Sequence, residues 1–216
     1  MSSRLSKWIV LPAAVLMLGG WAVAQDPSST STSSGQSASP TQSKATVAKR
    51  KENQQDRIGN GVKSGELTAG ETANLESKEA AINQETRADR AANGGKLTAG
   101  EKQQINKQQN QLSKQIYQDK HNANTAHYGN NEVGQRRENQ QDRIANGIKS
   151  GQLTAGETAK LENQQHAINQ QVHADRQANG GKLTQGEKQQ INREQNQASK
   201  NIYNKKHNAK TQGGKK

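Results

Sequence analysis

The eight residues SGELTAGE, at positions 64–71, contain the signals that end one helix and begin the next. Thr68 and Glu71 stand three residues apart in the S/T-x-x-E pattern of a capping box. In that motif the threonine hydroxyl accepts a hydrogen bond from the glutamate amide, and the glutamate carboxylate accepts one from the threonine amide. Gly65 suits a chain that leaves a helix at positive φ. The stretch therefore predicts a helix C-terminus, a tight turn and a capped N-terminus.

The same motif occurs four times along the chain. Close copies stand at 94–101, 150–157 and 180–187. They predict three further capping boxes of the same type. The predicted structural cap residues are Thr68, Glu71, Thr98, Glu101, Thr154, Glu157, Thr184 and Glu187.

The motifs belong to a longer internal repeat. Residues 52–123 align with residues 138–209 at an offset of 86 without a gap, and 53 of the 72 aligned positions are identical. Such similarity within one chain indicates a duplication.

Apolar residues follow each motif at helical spacing. From Leu67 they recur at Leu75 and Ile82, which return to one face of a helix. We therefore predict an all-α fold of two tandem 86-residue repeats, each with a short helix and two longer capped helices, as a marginal three-helix bundle or helical hairpins. Because each repeat carries its own stripes, we expect each to fold alone. The predicted helices are 50–63, 68–92, 98–123, 136–149, 154–178 and 184–209.

The first 24 residues have the composition of a secretory signal peptide. MSSRLSK carries two cations, a run of 14 mostly apolar residues follows, and AVA ends at Ala24. The run is short for a bilayer span, so no transmembrane span is expected after cleavage. We predict a secreted or periplasmic protein. Its segments are a disordered Ser/Thr-rich spacer at 25–48, helical repeats at 49–123 and 136–209, a linker at 124–135 and a basic tail at 210–216.

The charge balance favours anionic partners. Removing the signal peptide with Arg4 and Lys7 lowers the net charge from +12 to +10. We expect non-specific association with anionic polysaccharide, an anionic lipid surface or extracellular nucleic acid. The cations are dispersed and the mature part has no Phe or Trp, so no stacking platform for bases is predicted. The cations of the first repeat include Lys63, Lys96, Lys102, Lys107, Lys114 and Lys120.

No constellation in the sequence predicts catalysis or a cofactor. The chain has no cysteine, which removes disulfides and thiolate metal sites. His166 and His173 are seven residues apart, about 10.5 Å along a helix, too far to share a metal ion, and His127 lies in the predicted linker. Nucleophile motifs, phosphate loops and paired acids are missing. We predict a non-enzymatic protein with structural or solvated histidines.

Two resemblances accompany these residues. GGKLTAGE resembles the second half of an EF-hand calcium loop, but the first half would place Arg90 and Ala92 where calcium needs oxygen ligands. The pattern G-x-L-T-x-G-E followed by I-Y-x-x-K-H-N, over residues 52–209, resembles exported bacterial repeat proteins of unknown function. That resemblance implies export and a helical unit, and it implies no activity.

Three functions remain open from the sequence. The first is an exported, non-enzymatic helical repeat protein that associates weakly with anionic envelope or matrix material. The second is a hydrophilin-like protectant against stress or desiccation, which the high glycine content and polar composition favour. The third is a vestigial EF-hand-like calcium module.

Overall fold

The computed structural model describes residues 46–213, and throughout this range the chain forms helices and turns without a strand. The prediction of an all-α fold, with one shorter and two longer helices in each repeat, is confirmed. The predicted signal peptide, spacer residues 25–45 and the last three tail residues lie outside the described range. The helices are α1 (Val47–Ser64), α2 (Ala69–Ala92), α3 (Ala99–Lys120), α4 (Glu132–Lys149), α5 (Ala155–Ala178) and α6 (Gln185–Lys206).

Two sets of helix ends differ from the predicted ones. The first helix of each repeat begins earlier, because Thr46 caps α1 and Asn131 caps α4 by accepting from backbone amides three residues on. The third helices end at Lys120 and Lys206, three residues before the predicted ends. In the first repeat the chain turns there because Asn122 accepts from the amide of Asn124 in an Asx turn.

All four LTxGE motifs form complete capping boxes. At Thr68, the hydroxyl accepts from the amide of Glu71 at 3.3 Å, and a carboxylate oxygen of Glu71 accepts from the amide of Thr68 at 2.9 Å. The same exchange occurs at Thr98, Thr154 and Thr184. Gly65 and Gly151 have φ angles of 74° and 72°, a region that favours glycine.

Buried amide side chains supplement the thin apolar core of each repeat. Gln54 of α1 is buried, and its amide donates to the backbone carbonyl of Gln109 on α3 at 2.7 Å and to Ser113 at 2.9 Å. Gln109 in turn donates to the carbonyl of Val47 at 3.0 Å. Gln140 and Gln195 repeat this arrangement between α4 and α6. Because buried polar groups are stable only when they are hydrogen-bonded, these glutamines hold the third helix of each repeat against the first.

The two repeats pack on each other through equivalent helices. α1 lies against α4, and α2 lies against α5 along the most extensive helix contact of the described chain. The contacts are reciprocal: a Cβ added at Gly70 would come within 3.0 Å of His166, and one added at Gly156 would come within 3.9 Å of Ala80, the equivalent pair. Reciprocity of this kind is the mark of a two-fold interface. The protein is thus built as an intramolecular dimer of repeats.

This packing differs from the expectation that each repeat is self-contained. One apolar cluster includes Ile58 and Leu75 from the first repeat together with Ile144, Ile148 and Leu161 from the second. α1 and α4 approach closely at Gly59, where an added Cβ would lie 3.4 Å from Ile148. A separated repeat would expose this shared surface to water. The larger apolar cluster is therefore shared between the repeats, and the second repeat also has a smaller cluster of its own that includes Ile168 and Ile191.

A pair of equivalent acids is buried where α2 meets α5. Glu76 and Glu162 are both fully buried. One oxygen of Glu76 accepts from Gln55 at 2.9 Å, and one oxygen of Glu162 accepts from Gln141 at 2.8 Å. The other oxygen of each carboxyl has no hydrogen-bond partner among residues 46–213. Neither acid has a cation beside it, so each is stable mainly in its neutral form.

Burial therefore raises the pKa of both carboxyls. It raises the pKa of Glu162 to about 8, although the hydrogen bond from Gln141 acts in the opposite direction. Burial also raises the pKa of Glu76 well above its ordinary value, and the nearby carboxyls of Glu79 and Glu162 raise it further. An acid that keeps its proton in the folded state and loses it when unfolded makes the fold less stable as the pH rises.

We predict that the protein loses stability between pH 5 and pH 8. The unfolded carboxyls ionise near pH 4.5, whereas folded Glu162 keeps its proton to about pH 8. The folded state therefore binds more protons throughout this window, and the free energy of unfolding falls as the pH rises. Thermal unfolding followed by circular dichroism at each pH measures the slope.

The substitution Glu162→Gln should flatten this slope, because the amide stays neutral and its oxygen accepts from Gln141 as the carboxyl does. Glu138→Gln removes an exposed acid of the same repeat and should leave the slope unchanged. A melting temperature in wild-type protein that stays constant or rises from pH 5 to pH 8 would contradict the burial of neutral acids.

We predict that the threonine caps contribute unequally to stability. Thr68→Ala should lower the free energy of unfolding by about 0.5–2 kcal/mol, as the loss of an N-cap does. Thr98→Ala should cost less, because the Thr68 box is half-buried whereas Thr98 is exposed, and Glu71 accepts from two further side chains, Asn122 and Asn124, whereas Glu101 accepts from one, Asn93. Urea unfolding measures both. Equal losses would contradict the difference between the boxes, and no loss in either variant would contradict the capping role.

Candidate anion-binding clefts

Each repeat contributes walls to two equivalent clefts. The first cleft has a volume of about 1040 Å³ and lies between α1 and α2 of the first repeat, the N-terminus of α5 and the chain segment 209–213. The second cleft has a volume of about 880 Å³ and lies between α4 and α5, the N-terminus of α2 and the chain segment 123–128. The two sets of walls correspond through the internal repeat. The clefts are therefore a consequence of the two-fold packing.

Four cations line the first cleft. Lys51 comes from α1, Arg87 and Arg90 come from α2, and Lys210 follows α6. Within residues 46–213, none of these side chains forms an ion pair with a carboxylate. The remaining polar lining consists of amides and hydroxyls, from Asn83, Gln84, Thr86, Thr154, Thr211 and Gln212. The surface is suited to a ligand that combines negative charge with hydroxyl groups.

The C-terminal segment closes one side of the first cleft. The amide of Gln212 donates to the carbonyl of Gly151 at 2.9 Å, and its buried side chain donates to Gln55. Lys51 donates to the carbonyl of Gly213 at 3.2 Å. These bonds hold residues 209–213 against both repeats, and they place Lys210 on the same cleft as the cations of α1 and α2.

Lys51 is held in an unfavourable position for a cation. Burial lowers the pKa of Lys51, and the charge of Glu79 acts in the opposite direction. Arg87 and Arg90 lower the pKa of this ammonium further by repulsion. Like charges gathered without ion pairs attract anions, because a bound anion relieves their mutual repulsion.

One cation of the first cleft is replaced by a histidine in the second cleft, and further histidines are added there. His166 and His173 stand where the first repeat has Ala80 and Arg87, and His127 joins them from the segment between the repeats. Arg137 is equivalent to Lys51, and its guanidinium lies 5.4 Å from the centre of the Tyr128 ring. The two clefts therefore differ in charge and in the side chains that occupy them, although equivalent backbone segments form their walls.

The structure brings together histidines that are far apart in the sequence, but it does not form a metal centre with them. Within residues 46–213, no group of three or more His, Cys, Asp or Glu side chains has the geometry of a metal site. In the GGKLTAGE turn that resembles an EF-hand, one oxygen of Glu101 accepts from Thr98 and the other accepts from Asn93. In the equivalent SGELTAGE turn, one oxygen of Glu71 accepts from Thr68 and the other accepts from Asn122 and Asn124. Both oxygens that would bind calcium are thus used in holding the fold.

Those bonds also fix the charge of Glu71 at the rim of the second cleft. Burial alone would raise its pKa, but the hydrogen bonds from Thr68, Asn122 and Asn124 outweigh burial and lower it. The second cleft therefore carries a carboxylate that the lining of the first cleft lacks.

The predicted cap residues divide into two groups. Thr154 belongs to the lining of the first cleft, and Thr68 and Glu71 belong to that of the second. The equivalent boxes at Thr98–Glu101 and Thr184–Glu187 line neither cleft among the described residues. Half of the capping boxes thus position a site as well as a helix.

The cationic cluster was not predicted from the sequence, since it is assembled from three separated segments. The sequence nevertheless contains a signal of the clefts. Ala80 and Arg87 of the first repeat correspond to His166 and His173 of the second, and these changed positions lie seven residues apart in otherwise similar segments. They mark the face of α2 and α5 on which the repeats have diverged.

Of the six lysines of the first repeat named above, Lys120 has an acidic partner: its Nζ lies 3.1 Å from Oε2 of Glu66. No helix within residues 46–213 is long and apolar enough to span a membrane. Comparisons with protein-family models, with curated proteins and with solved structures gave no match to this chain.

Proposed function

We propose that this protein is an exported, non-enzymatic binding protein whose first cleft associates with acidic polysaccharide of the cell envelope or the surrounding matrix. The observation that carries this proposal is the cluster of Lys51, Arg87, Arg90 and Lys210, none of which forms an ion pair with a carboxylate among the described residues. Carboxylate or sulfate groups would bind these cations. Sugar hydroxyls would bind the amides and hydroxyls between them.

Acidic polysaccharide fits this lining better than the other anionic partners. The first cleft has no aromatic side chain on which a nucleic-acid base would stack. The large hydrophobic residues exposed on the described surface are Tyr117 and Tyr203, both stacked on histidines of their own helix ends, and two separate rings do not make an apolar patch for insertion into lipid. A hydrated polymer with charged and hydroxyl groups requires neither feature.

A binding role also agrees better with the lining than catalysis does. The described residues of the first cleft include no carboxylate, imidazole or thiol to act as base or nucleophile. The buried two-repeat core favours a folded protein in dilute solution, whereas a hydrophilin-like protectant would be largely coil.

We predict that a uronic acid oligosaccharide binds weakly at low salt and that the first cleft accounts for most of this affinity. Calorimetric titration of the oligosaccharide into the full chain measures the affinity at several salt concentrations. The triple substitution Lys51→Gln, Arg87→Gln and Arg90→Gln should weaken binding. It should also flatten the dependence of log affinity on log salt by roughly 0.7 for each cation removed, as for flexible polyanions in general.

A matched control removes the same charge from another surface. Lys102, Lys107 and Lys114 are exposed along α3, and their triple replacement by Gln should change affinity little. Equal weakening by both triple variants would show that only net charge matters and would contradict a cleft. Tighter cleft-dependent binding of an oligonucleotide or of anionic vesicles would contradict the polysaccharide assignment.

A further inference from the structure

A buried acid lies directly below the first cleft. Glu79 of α2 is fully buried. One of its oxygens accepts from the side chain of Asn83 at 3.3 Å, and Asn83 lines the cleft. The other oxygen has no hydrogen-bond partner among residues 46–213. The side chain of Asn83 thus lies between Glu79 and the cleft in which a ligand would bind. The burial of the Glu79 carboxyl is not compensated by a full set of hydrogen bonds.

Lys51 connects this acid to the cleft. Its side chain lines the cleft and donates to the carbonyl of Gly213, and its charge interacts with that of Glu79. When Glu79 is ionised, it attracts the ammonium that a ligand would otherwise bind, and it repels the ligand directly. When Glu79 is protonated, both effects disappear and the cations of the cleft act on the ligand alone.

We propose that the first cleft binds its anionic ligand together with a proton on Glu79, so that the ligand is held at acidic pH and released as the pH rises. This inference rests on the proposed function, since it concerns the same cleft. Linkage makes the effect reciprocal: a ligand that binds better when Glu79 is protonated also favours protonation of Glu79. Binding therefore takes up protons from solution in the pH range where free Glu79 is ionised.

The burial of Glu79 places this range near neutrality. Burial raises the pKa of Glu79 to about 7, although the charge of Lys51 and the hydrogen bond from Asn83 act to lower it. The groups that face Glu79 are Lys51 on α1 and Glu76 on its own helix, and Glu76 in turn faces Glu162 on α5. Arg87, Arg90 and Glu52 act on Lys51.

The second cleft provides an internal comparison. The position equivalent to Glu79 is Gln165, and the position equivalent to Lys51 is Arg137. Gln165 is also buried, and it donates to Gln140 at 3.1 Å. The buried acid next to a cleft cation is therefore a property of the first cleft, and a neutral amide is accommodated at the equivalent place.

The test uses a sulfated oligosaccharide, because its charge is constant across the pH range. Its affinity for the full chain is measured by calorimetry at pH 6 and at pH 8, at one salt concentration. A second buffer with a different enthalpy of ionisation gives the number of protons taken up. We expect affinity about fivefold weaker at pH 8 than at pH 6, which corresponds to a rise of about one unit in the pKa of Glu79 on binding, from its free value of about 7. We also expect proton uptake above pH 7.

Glu79→Gln should remove both the pH dependence and the proton uptake, while affinity stays near that of the wild type at pH 6. Glu162→Gln, which removes the buried acid of the second repeat, should leave the proton uptake in place. This variant also controls for any effect on overall stability of removing one carboxyl of the buried pair Glu76 and Glu162. The wild-type proton uptake is measured without any substitution, so the test does not depend on the folding of a variant.

The outcomes separate this inference from the proposed function. Binding that depends on Lys51, Arg87 and Arg90, but is equal at pH 6 and pH 8 without proton uptake, would overturn the role of Glu79 and leave the cleft intact. Persistence of the full pH dependence in Glu79→Gln would assign the proton to another group, such as the histidines of the second cleft, and would also overturn it. Absence of cleft-dependent binding at either pH would overturn the proposed function itself.

Discussion

The contact between α2 and α5 is the constraint on which the rest of the structure depends, because it joins the repeats and buries a carboxyl from each. Glu76 and Glu162 have no cation beside them, and the glutamines that donate to them satisfy one oxygen each. The interface is therefore stable only while these acids are neutral. The fold is therefore most stable in mildly acidic conditions. Ionisation of these acids destabilises the contact that joins the two repeats.

The small apolar content of the chain explains why the interface takes this form. The larger apolar cluster draws on both repeats, and a smaller one belongs to the second repeat alone. Buried Gln and Glu side chains fill positions that would be apolar in a larger core. Gln54 and Gln140 show the principle, since each joins the first helix of its repeat to the third through a backbone carbonyl. Such polar positions specify one arrangement of helices, because a shift by one turn would leave the amides without partners.

The capping boxes, the helix order and the duplication could be predicted from the sequence, since each depends on residues that are neighbours along the chain. The packing of α2 on α5 could not, because Gly70 and Ala80 look like ordinary helix-surface residues until His166 and Gly156 are placed against them. The buried acids were hidden for the same reason. The first cleft was harder still, since Lys51, Arg87 and Lys210 meet only after the repeats have docked. The differences between the repeats at Ala80 and Arg87 then give two clefts with equivalent walls but different volume and charge.

The two repeats form one folded unit, and the behaviour of a single repeat is the most direct test. Residues 46–128 contain α1 to α3 and the segment that follows them, and the helicity and mass of this fragment are measured by circular dichroism and analytical ultracentrifugation over a range of concentrations. We expect the fragment to be helical only when it pairs with a second copy through the α2 surface, so that helicity falls on dilution. A helical monomer whose helicity is independent of concentration would show that a repeat folds without its partner.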